Sequence, residues 1–230
     1  MSAYETWRKG LPSERDFWAD VIRTGGRWPE DWKARLDPGA ELQPHLQALL
    51  RSSPAWGTPM EKAYLLDVGA GPATILGKVW RGGPALDITA IDVLADAYNE
   101  LLAEAGVAPP VRTEPGRAET LLSRFLPGMF DLVYARNALD HAYDPHGAIR
   151  AMLQLAAKGA PVRLEHVSRV ATKEGRAGLH QWDFYEEGGD FWIDRLNLSA
   201  ELRKEGVDVE AKTEGGKDSG WCMVTMRRRA

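Results

Sequence analysis

From residue 63 to residue 167 the chain alternates short apolar runs with stretches of helical spacing, and no other feature restricts its fold as much. Residues 63–68, 87–93, 111–113, 130–135 and 162–167 read as strands, apolar and short enough to lie buried in a sheet. Residues 73–80, 94–105 and 118–125 read as helices between them. A longer helix opens at Asp144-Pro145 and runs to about residue 158, with Gly159 just past its end. Pro at the first helical position and Gly beyond the last are the residues those ends favour. Parallel neighbours cannot be joined by a tight turn, so each strand–helix–strand step specifies a crossover. The alternation therefore predicts an α/β fold, a doubly wound and mostly parallel sheet with helices on both faces. Residues 207–213 and 221–227 read as two last strands around Glu214-Gly215-Gly216.

Two regions break the alternation. Residues 1–60 show no strand pattern, yet hold Trp7, Trp18, Trp28, Trp32 and Trp56, five of the nine tryptophans. Apolar residues recur at helical spacing over 15–22, just after Ser13-Glu14, and residues 29–36 and 42–50 fit two more helices. Asp37-Pro38-Gly39 and Ser52-Ser53-Pro54 punctuate them. We read residues 1–60 as a helical, Trp-rich cap or lid, and residues 61–230 as the α/β domain. Inside that domain, residues 168–195 form a Gly- and aromatic-rich insertion. Long insertions in compact domains are functional or disordered, and the aromatic content argues for order.

The first strand runs into Asp67-Val68-Gly69-Ala70-Gly71-Pro72. Glycine has no Cβ, so a ligand can lie against the backbone there. Open α/β sheets bind ligands beyond the carboxyl ends of their strands, where the strand order reverses. A dinucleotide fingerprint asks for a small third residue, and Thr74 stands in that place. Asp67, ahead of the turn, would repel a pyrophosphate and suits a cationic amino-acid ligand. A dinucleotide oxidoreductase is disfavoured on both counts.

On these residues the chain resembles the class I S-adenosylmethionine-dependent methyltransferases, over about residues 63–167. Asp67, Gly69 and Gly71 match their acidic-x-Gly-x-Gly motif. Asp92, ending Ile88-Thr89-Ala90-Ile91-Asp92, matches the acid that holds both ribose hydroxyls. Gly116-Arg117-Ala118-Glu119 is similar to their adenine segment, with Arg117 where an Asp is common. The segment from Phe130 to His141 is similar to their fourth-strand motif. The resemblance implies seven strands with the last antiparallel, and S-adenosylmethionine as cofactor. It implies cofactor contacts from Asp67, Gly69, Ala70, Gly71, Asp92, Val93, Ala118, Glu119, Arg136 and Asn137.

Aromatic faces attract cations, and the cofactor's sulfonium is one. Trp28 is therefore added to the cofactor set, and an N-terminal aromatic is expected to close over the methionine end with Tyr185 or Trp182. On the acceptor side the candidate catalytic residues are Asn137, His141, Tyr185 and Ser199. His141 and His180 are the candidate bases, and Asn137 a group that orients a nucleophile. Gln181 shares the insertion with His180, while His45 and His166 read as non-functional. The five histidines show no metal-ligand spacing, so no metal is expected.

Methyl transfer from a sulfonium needs alignment and water exclusion more than it needs a base. The preferred expectation is direct SN2 methylation of a small molecule. An alternative is similar to azetidine-2-carboxylate synthases, where the cofactor's α-amine attacks its own γ-carbon and methylthioadenosine leaves. That reaction wants a closed aromatic cage, with Asn137 or Ser199 holding the amine. A non-catalytic cofactor-binding protein is a third reading.

A net charge of -4 speaks against a nucleic-acid surface. Cys222 is the sole cysteine, which excludes disulfide frameworks and cysteine zinc sites. The N-terminus lacks an apolar signal region, and no apolar run reaches the ~20 residues of a membrane span. The expectation is a cytoplasmic protein with no nucleic-acid or membrane partner, acting on a small molecule or on the cofactor alone. Its oligomeric state stays open.

Overall fold

The computed structural model describes residues 2–57, 60–216 and 220–229. At its centre Lys62–Val68 (β1) and Ala85–Asp92 (β2) pair in parallel, in register from Lys62 opposite Ala85 to Val68 opposite Ile91. Every residue of β1 except Lys62 and Tyr64 is buried, as in a strand covered on both faces. Thr113–Pro115 (β3) pairs beyond β2, while Leu132–Arg136 (β4) and Val162–Val167 (β5) extend the other side, all parallel. Val207–Glu214 (β9) completes the edge through Trp221–Arg228 (β10), which runs antiparallel to both β5 and β9. The order is β3-β2-β1-β4-β5-β10-β9. This is the expected doubly wound seven-stranded sheet, with the last strand antiparallel. The chain winds outward to β3 and restarts at β4, so the order reverses between β1 and β4, where such sheets bind ligands.

Helices Ala3–Thr24 (α1), Pro29–Leu36 (α2), Pro44–Arg51 (α3), Ala95–Glu104 (α4) and Pro145–Leu155 (α5) carry most of the helical structure. α1 starts well before residue 15 because Ser2 and Glu5 form a capping box. It ends at Gly25 in the left-handed region, φ 82°. α5 opens with the Asp144 carboxylate accepting from the Gly147 amide at 2.9 Å. It stops at Leu155, short of residue 158, because Ala156 turns extended and bridges Phe130. Residues 118–125 form a 3-10 segment, Ala118–Ser123, kinked at Thr120, rather than an α-helix.

Residues 73–80 are not a helix either. The Thr74 hydroxyl accepts from the Leu76 amide at 3.1 Å and donates to Asp67 at 2.6 Å. Lys78 and Val79 give their amides to the Ala40 carbonyl. Gly77 presses on residue 41, where a Cβ would sit 2.1 Å from the Glu41 carbonyl oxygen. Side-chain and long-range bonds thus replace the helical ladder. α3 supplies the missing layer: Leu46 and Leu50, with Leu42 ahead of them, are buried against Leu65, Leu76, Leu132 and Tyr134.

The insertion is a packed unit. Val170–Lys173 (α6) leads into a separate antiparallel sheet of Phe184–Glu187 (β6), Asp190–Ile193 (β7) and Leu196–Asn197 (β8), followed by Leu198–Lys204 (α7). Phe184, Phe191 and Ile193 are buried in the same cluster as Leu164, Cys222 and Val224 of the main sheet.

Candidate functional site

A cavity of about 690 Å³ opens at the reversal between β1 and β4, within the range of about 300–1,000 Å³ typical of small-molecule sites. The turn after β1, the end of β2, residues 116–119, the loop after β4, and helices α1 and α2 converge on it.

Gly69 and Gly71 both hold left-handed backbone, φ 72° and 67°, which glycine adopts without steric cost. The close approach comes from the protein itself, not only from a ligand. A Cβ on Gly69 would lie 2.3 Å from the Ala138 Cβ, and one on Gly71 2.8 Å from the Trp18 ring. Asp67 is buried beneath the turn and accepts the Thr74 hydroxyl. Thr74, the residue that spoils a dinucleotide fingerprint, thus partners the acid. Burial raises the Asp67 pKa to about 6, against the Thr74 hydrogen bond and the charge of Arg35.

Asp92 accepts from the amides of Gly71 at 3.1 Å and Leu94 at 2.9 Å, one on each oxygen. Each oxygen keeps room for another donor, so a pair of ribose hydroxyls fits. Burial lifts this acid to about 6 as well. Val93, Ala70, Ala118 and Glu119 line the same cavity. Glu119 also accepts from the amides of Tyr143 at 2.9 Å and Asp144 at 3.4 Å, which ties the 116–119 segment to the start of α5. The Arg117 guanidinium lies over Trp7, 5.4 Å from its ring centre.

Arg136 and Asn137 end β4 at the cavity wall. Arg136 sits over Trp221 and 3.5 Å from Asp31. Asn137 takes φ 45°, a conformation Asn tolerates better than most residues, and its Oδ1 accepts from the Val167 amide at 2.8 Å. Trp28 stands exposed at the rim, while Trp7, Phe17, Trp18 and Trp32 line the wall. Arg35 escaped the sequence reading. It donates to the carbonyls of Ala70 at 3.1 Å and Ala73 at 2.6 Å, lies over Trp18, and contacts Asp31 at 2.8 Å. It clamps α2 onto the glycine turn. Nothing local distinguishes it from a solvated helical arginine.

Tyr185 and Ser199 do not line the cavity, which corrects their placement among the catalytic residues. Tyr185 donates to the Asp194 carbonyl at 2.7 Å and stacks on Trp192. Ser199 is fully buried and accepts the Phe191 amide at 2.8 Å. Trp182, expected over the methionine end, donates to the Ala142 carbonyl, and it and Gln181 also lie off the cavity wall. Tyr185 and Ser199 instead hold the small β6-β7-β8 sheet in place.

One part of the insertion does reach the cavity. His180 Nδ1 lies 3.0 Å from His141 Nε2 and 2.9 Å from Asp140 Oδ2, and His141 Nε2 lies 3.4 Å from the same oxygen. His166 Nδ1 is 3.4 Å from the other Asp140 oxygen. Histidines that look scattered in sequence, His166 included, are gathered on one buried carboxylate. Burial alone would raise the Asp140 pKa. The charge of His141, the nearby His166 ring and the hydrogen bond from His180 outweigh it and hold Asp140 well below the usual range. The same hydrogen bond raises His180. Asp140, His141 and His180 also place one ligand atom each close enough together to hold a metal ion, against the expectation of no such grouping. His45 stays outside the cavity, paired with Glu165 at 2.8 Å.

Residues 66–163 match the family described as methyltransferase domain. Among solved structures the chain is similar to the [4+2]-cyclase SpnF, with 16% identity over 98% of this chain and 96% of that chain, TM-score 0.59. It is similar to the Burkholderia thailandensis 1,6-didemethyltoxoflavin-N1-methyltransferase with bound 1,6-didemethyltoxoflavin and S-adenosylhomocysteine, 14% identical over 100% and 92%, TM-score 0.56. It is also similar to the CMeT domain of the citrinin polyketide synthase, 16% identical over 80% and 51%, TM-score 0.56. At these identities the likeness is one of fold. No curated protein matches the chain. The seven-stranded order with its antiparallel last strand gives the chain a class I methyltransferase-like fold. No helix among the described residues is long and apolar enough to cross a membrane.

Proposed function

We propose that this chain transfers the methyl group of S-adenosylmethionine to a small-molecule acceptor by direct SN2 displacement. The observation that carries the reading is the continuity of the cavity. One space of about 690 Å³ runs from the glycine turn and Asp92 to His141 and His180. Its first end suits the cofactor: Asp92 for the ribose, Asp67 as countercharge to an amino-acid cation, and an aromatic wall. Its other end is polar and receives the acceptor.

S-adenosylmethionine supplies a methyl that is already electrophilic. The residues of this chain contribute alignment, worth on the order of 7–11 kcal/mol at its upper end, and the exclusion of water. Trp18 and Trp32 cover the wall, and residues 1–60 act as the lid that Arg35 fastens. Asn137 has its oxygen committed to Val167, so its amide N–H groups are the ones offered to a ligand.

Cyclisation of the cofactor fits the site less well. Ser199 is committed to Phe191, and the cavity has room for a second molecule. Incubation with S-adenosylmethionine, with and without a panel of small acceptors, tests the proposal. S-adenosylhomocysteine forming only with an acceptor is the expected product. Methylthioadenosine released from the cofactor alone would overturn methyl transfer.

A further inference from the structure

The contacts of Asp140, His141 and His180 are too many for the protons available. His180 Nδ1 faces a ring nitrogen at 3.0 Å and a carboxylate oxygen at 2.9 Å. One N–H serves one of these well. His141 Nε2 is left 3.4 Å from the carboxylate, beyond a normal hydrogen bond. A single cation satisfies all three atoms at once. Imidazole nitrogens and carboxylate oxygens bind transition metals at about 2.0–2.2 Å. Ligands at that radius stand about 3.0 Å apart at octahedral angles and about 3.4 Å apart at tetrahedral ones. The three edges here, 2.9, 3.0 and 3.4 Å, fall in that range. A point about 2.1 Å from each atom lies about 1 Å off their plane, so the three ligands would occupy one face of the ion.

Polar groups stand behind two of the three ligand residues. Ligating histidines and carboxylates are held from behind by further polar groups. His141 Nδ1 lies 3.8 Å from the Glu14 carboxylate, and the second Asp140 oxygen lies 3.4 Å from His166. That oxygen and both His166 ring nitrogens are buried without a well-formed hydrogen bond. Gln181 gives its amide to the Asp140 carbonyl at 3.1 Å, which locks the His180 segment beside the acid. All three ligand residues line the cavity, so an ion held by them would be within reach of a molecule bound there.

We propose that Asp140, His141 and His180 bind one divalent transition-metal ion, whose open positions take a small molecule with adjacent oxygen donors. Two imidazoles and one carboxylate on a single face are the donor set of non-haem iron(II) sites, and imidazole suits zinc as well. Coordination would lower the pKa of a bound hydroxyl, so that its O–H bond can break near neutral pH. The proton leaves to water and the oxygen stays on the ion as an alkoxide or phenolate. That removes the need for a protein base. The identity of this molecule as methyl acceptor rests on the methyl-transfer reading; the metal site does not.

The test uses the full chain, stripped of metal, titrated with manganese(II) by electron paramagnetic resonance and with cobalt(II) by visible absorption. One ion per chain is expected. Loss of a group behind a metal ligand weakens binding about 10–100-fold, so His180→Ala and His141→Ala should lose at least that much. His45→Ala, which removes a histidine outside the cavity, should bind as the unmodified chain does. Thermal melting checks that each variant is folded. No uptake of manganese, cobalt or zinc, or uptake equal in His180→Ala and the unmodified chain, would overturn the site. Normal uptake with no S-adenosylhomocysteine from any oxygen acceptor supports the site and sinks the identification of its ligand as the methyl acceptor.

Discussion

Trp18 lies across Gly71 so closely that a Cβ on the glycine would meet the indole at 2.8 Å. The N-terminal helix is therefore seated on the cofactor turn, and the wall of the site depends on a residue far from it in sequence. Gly71→Ala forces an L side chain into left-handed backbone, a cost of about 1–2 kcal/mol, and pushes Trp18 away. Gly82→Ala is the matched control, since Gly82 has φ 80° and nothing within 4 Å of its Cβ position. Both variants should melt several degrees lower, at about 2–4 °C per kcal/mol. Only Gly71→Ala should also lose about tenfold in S-adenosylhomocysteine affinity, a change of about 1.4 kcal/mol. Equal affinities by calorimetry would contradict this.

Arg35 joins α2 to the carbonyls of Ala70 and Ala73. Hydrogen bonds to charged groups contribute about 1.5–3 kcal/mol. Arg35→Met keeps the stem and deletes the donors. It should lower cofactor affinity by at least about tenfold and expose the α1–α2 segment to proteolysis. A variant with unchanged affinity and unchanged cleavage rate would show that the clamp has no part in binding.

Asp67 and Asp92 are both raised from 3.8 to about 6 by burial. The folded chain then holds more protons than the unfolded one between those values, so stability falls as pH rises. Their favourable contribution is complete below 3.8 and gone above 6. Asp67→Asn should gain on the unmodified chain as pH is raised through that window in denaturant melts. A cationic cofactor has the opposite requirement and favours the ionised acids. Its binding near pH 6 should release protons. Calorimetry in two buffers of different ionisation enthalpy should give different heats there and matching heats about two pH units higher. Identical heats in both buffers near pH 6 would count against Asp67 as the countercharge.

Away from the cavity, Glu165 accepts from Tyr134 at 2.8 Å and Arg163 at 3.0 Å, with His45 at 2.8 Å. Burial alone would raise it, but these partners hold it down at about 2. Its contribution to stability is present above the unfolded value of 4.5 and lost as pH falls through about 2. Glu165→Gln leaves the buried Arg163 uncompensated, a loss of about 3–5 kcal/mol. Acid-denaturation curves should show the variant weaker at neutral pH and converging with the unmodified chain in strong acid.

Local rules carried the sheet because each strand is a short apolar run with a turn behind it, and burial demands that pattern wherever the strand sits. The glycine turn and Asp92 were legible for the same reason: backbone conformation and strand ends are written in neighbouring residues. The 73–80 segment defeated the helical reading because Gly77 packs against residue 41 and Lys78 and Val79 bond to Ala40, all distant in sequence. Tyr185 and Ser199 looked catalytic as polar residues in a loop-like stretch. Their partners, Asp194 and Phe191, become visible only once β6 and β7 pair.

The sequence by itself determined the doubly wound sheet, the glycine turn after β1 and the acids Asp67 and Asp92 beside it, since those depend on periodicity and on residues a few positions apart. Only the tertiary structure decided that Trp18 walls the glycine turn, that Arg35 ties α2 to that turn, and that His141 and His180 meet on Asp140. Those relations join residues separated by 35 to 53 positions or by whole elements. No local propensity encodes them, because they arise when burial of the apolar faces brings α1, α2 and the insertion to the same reversal in the sheet.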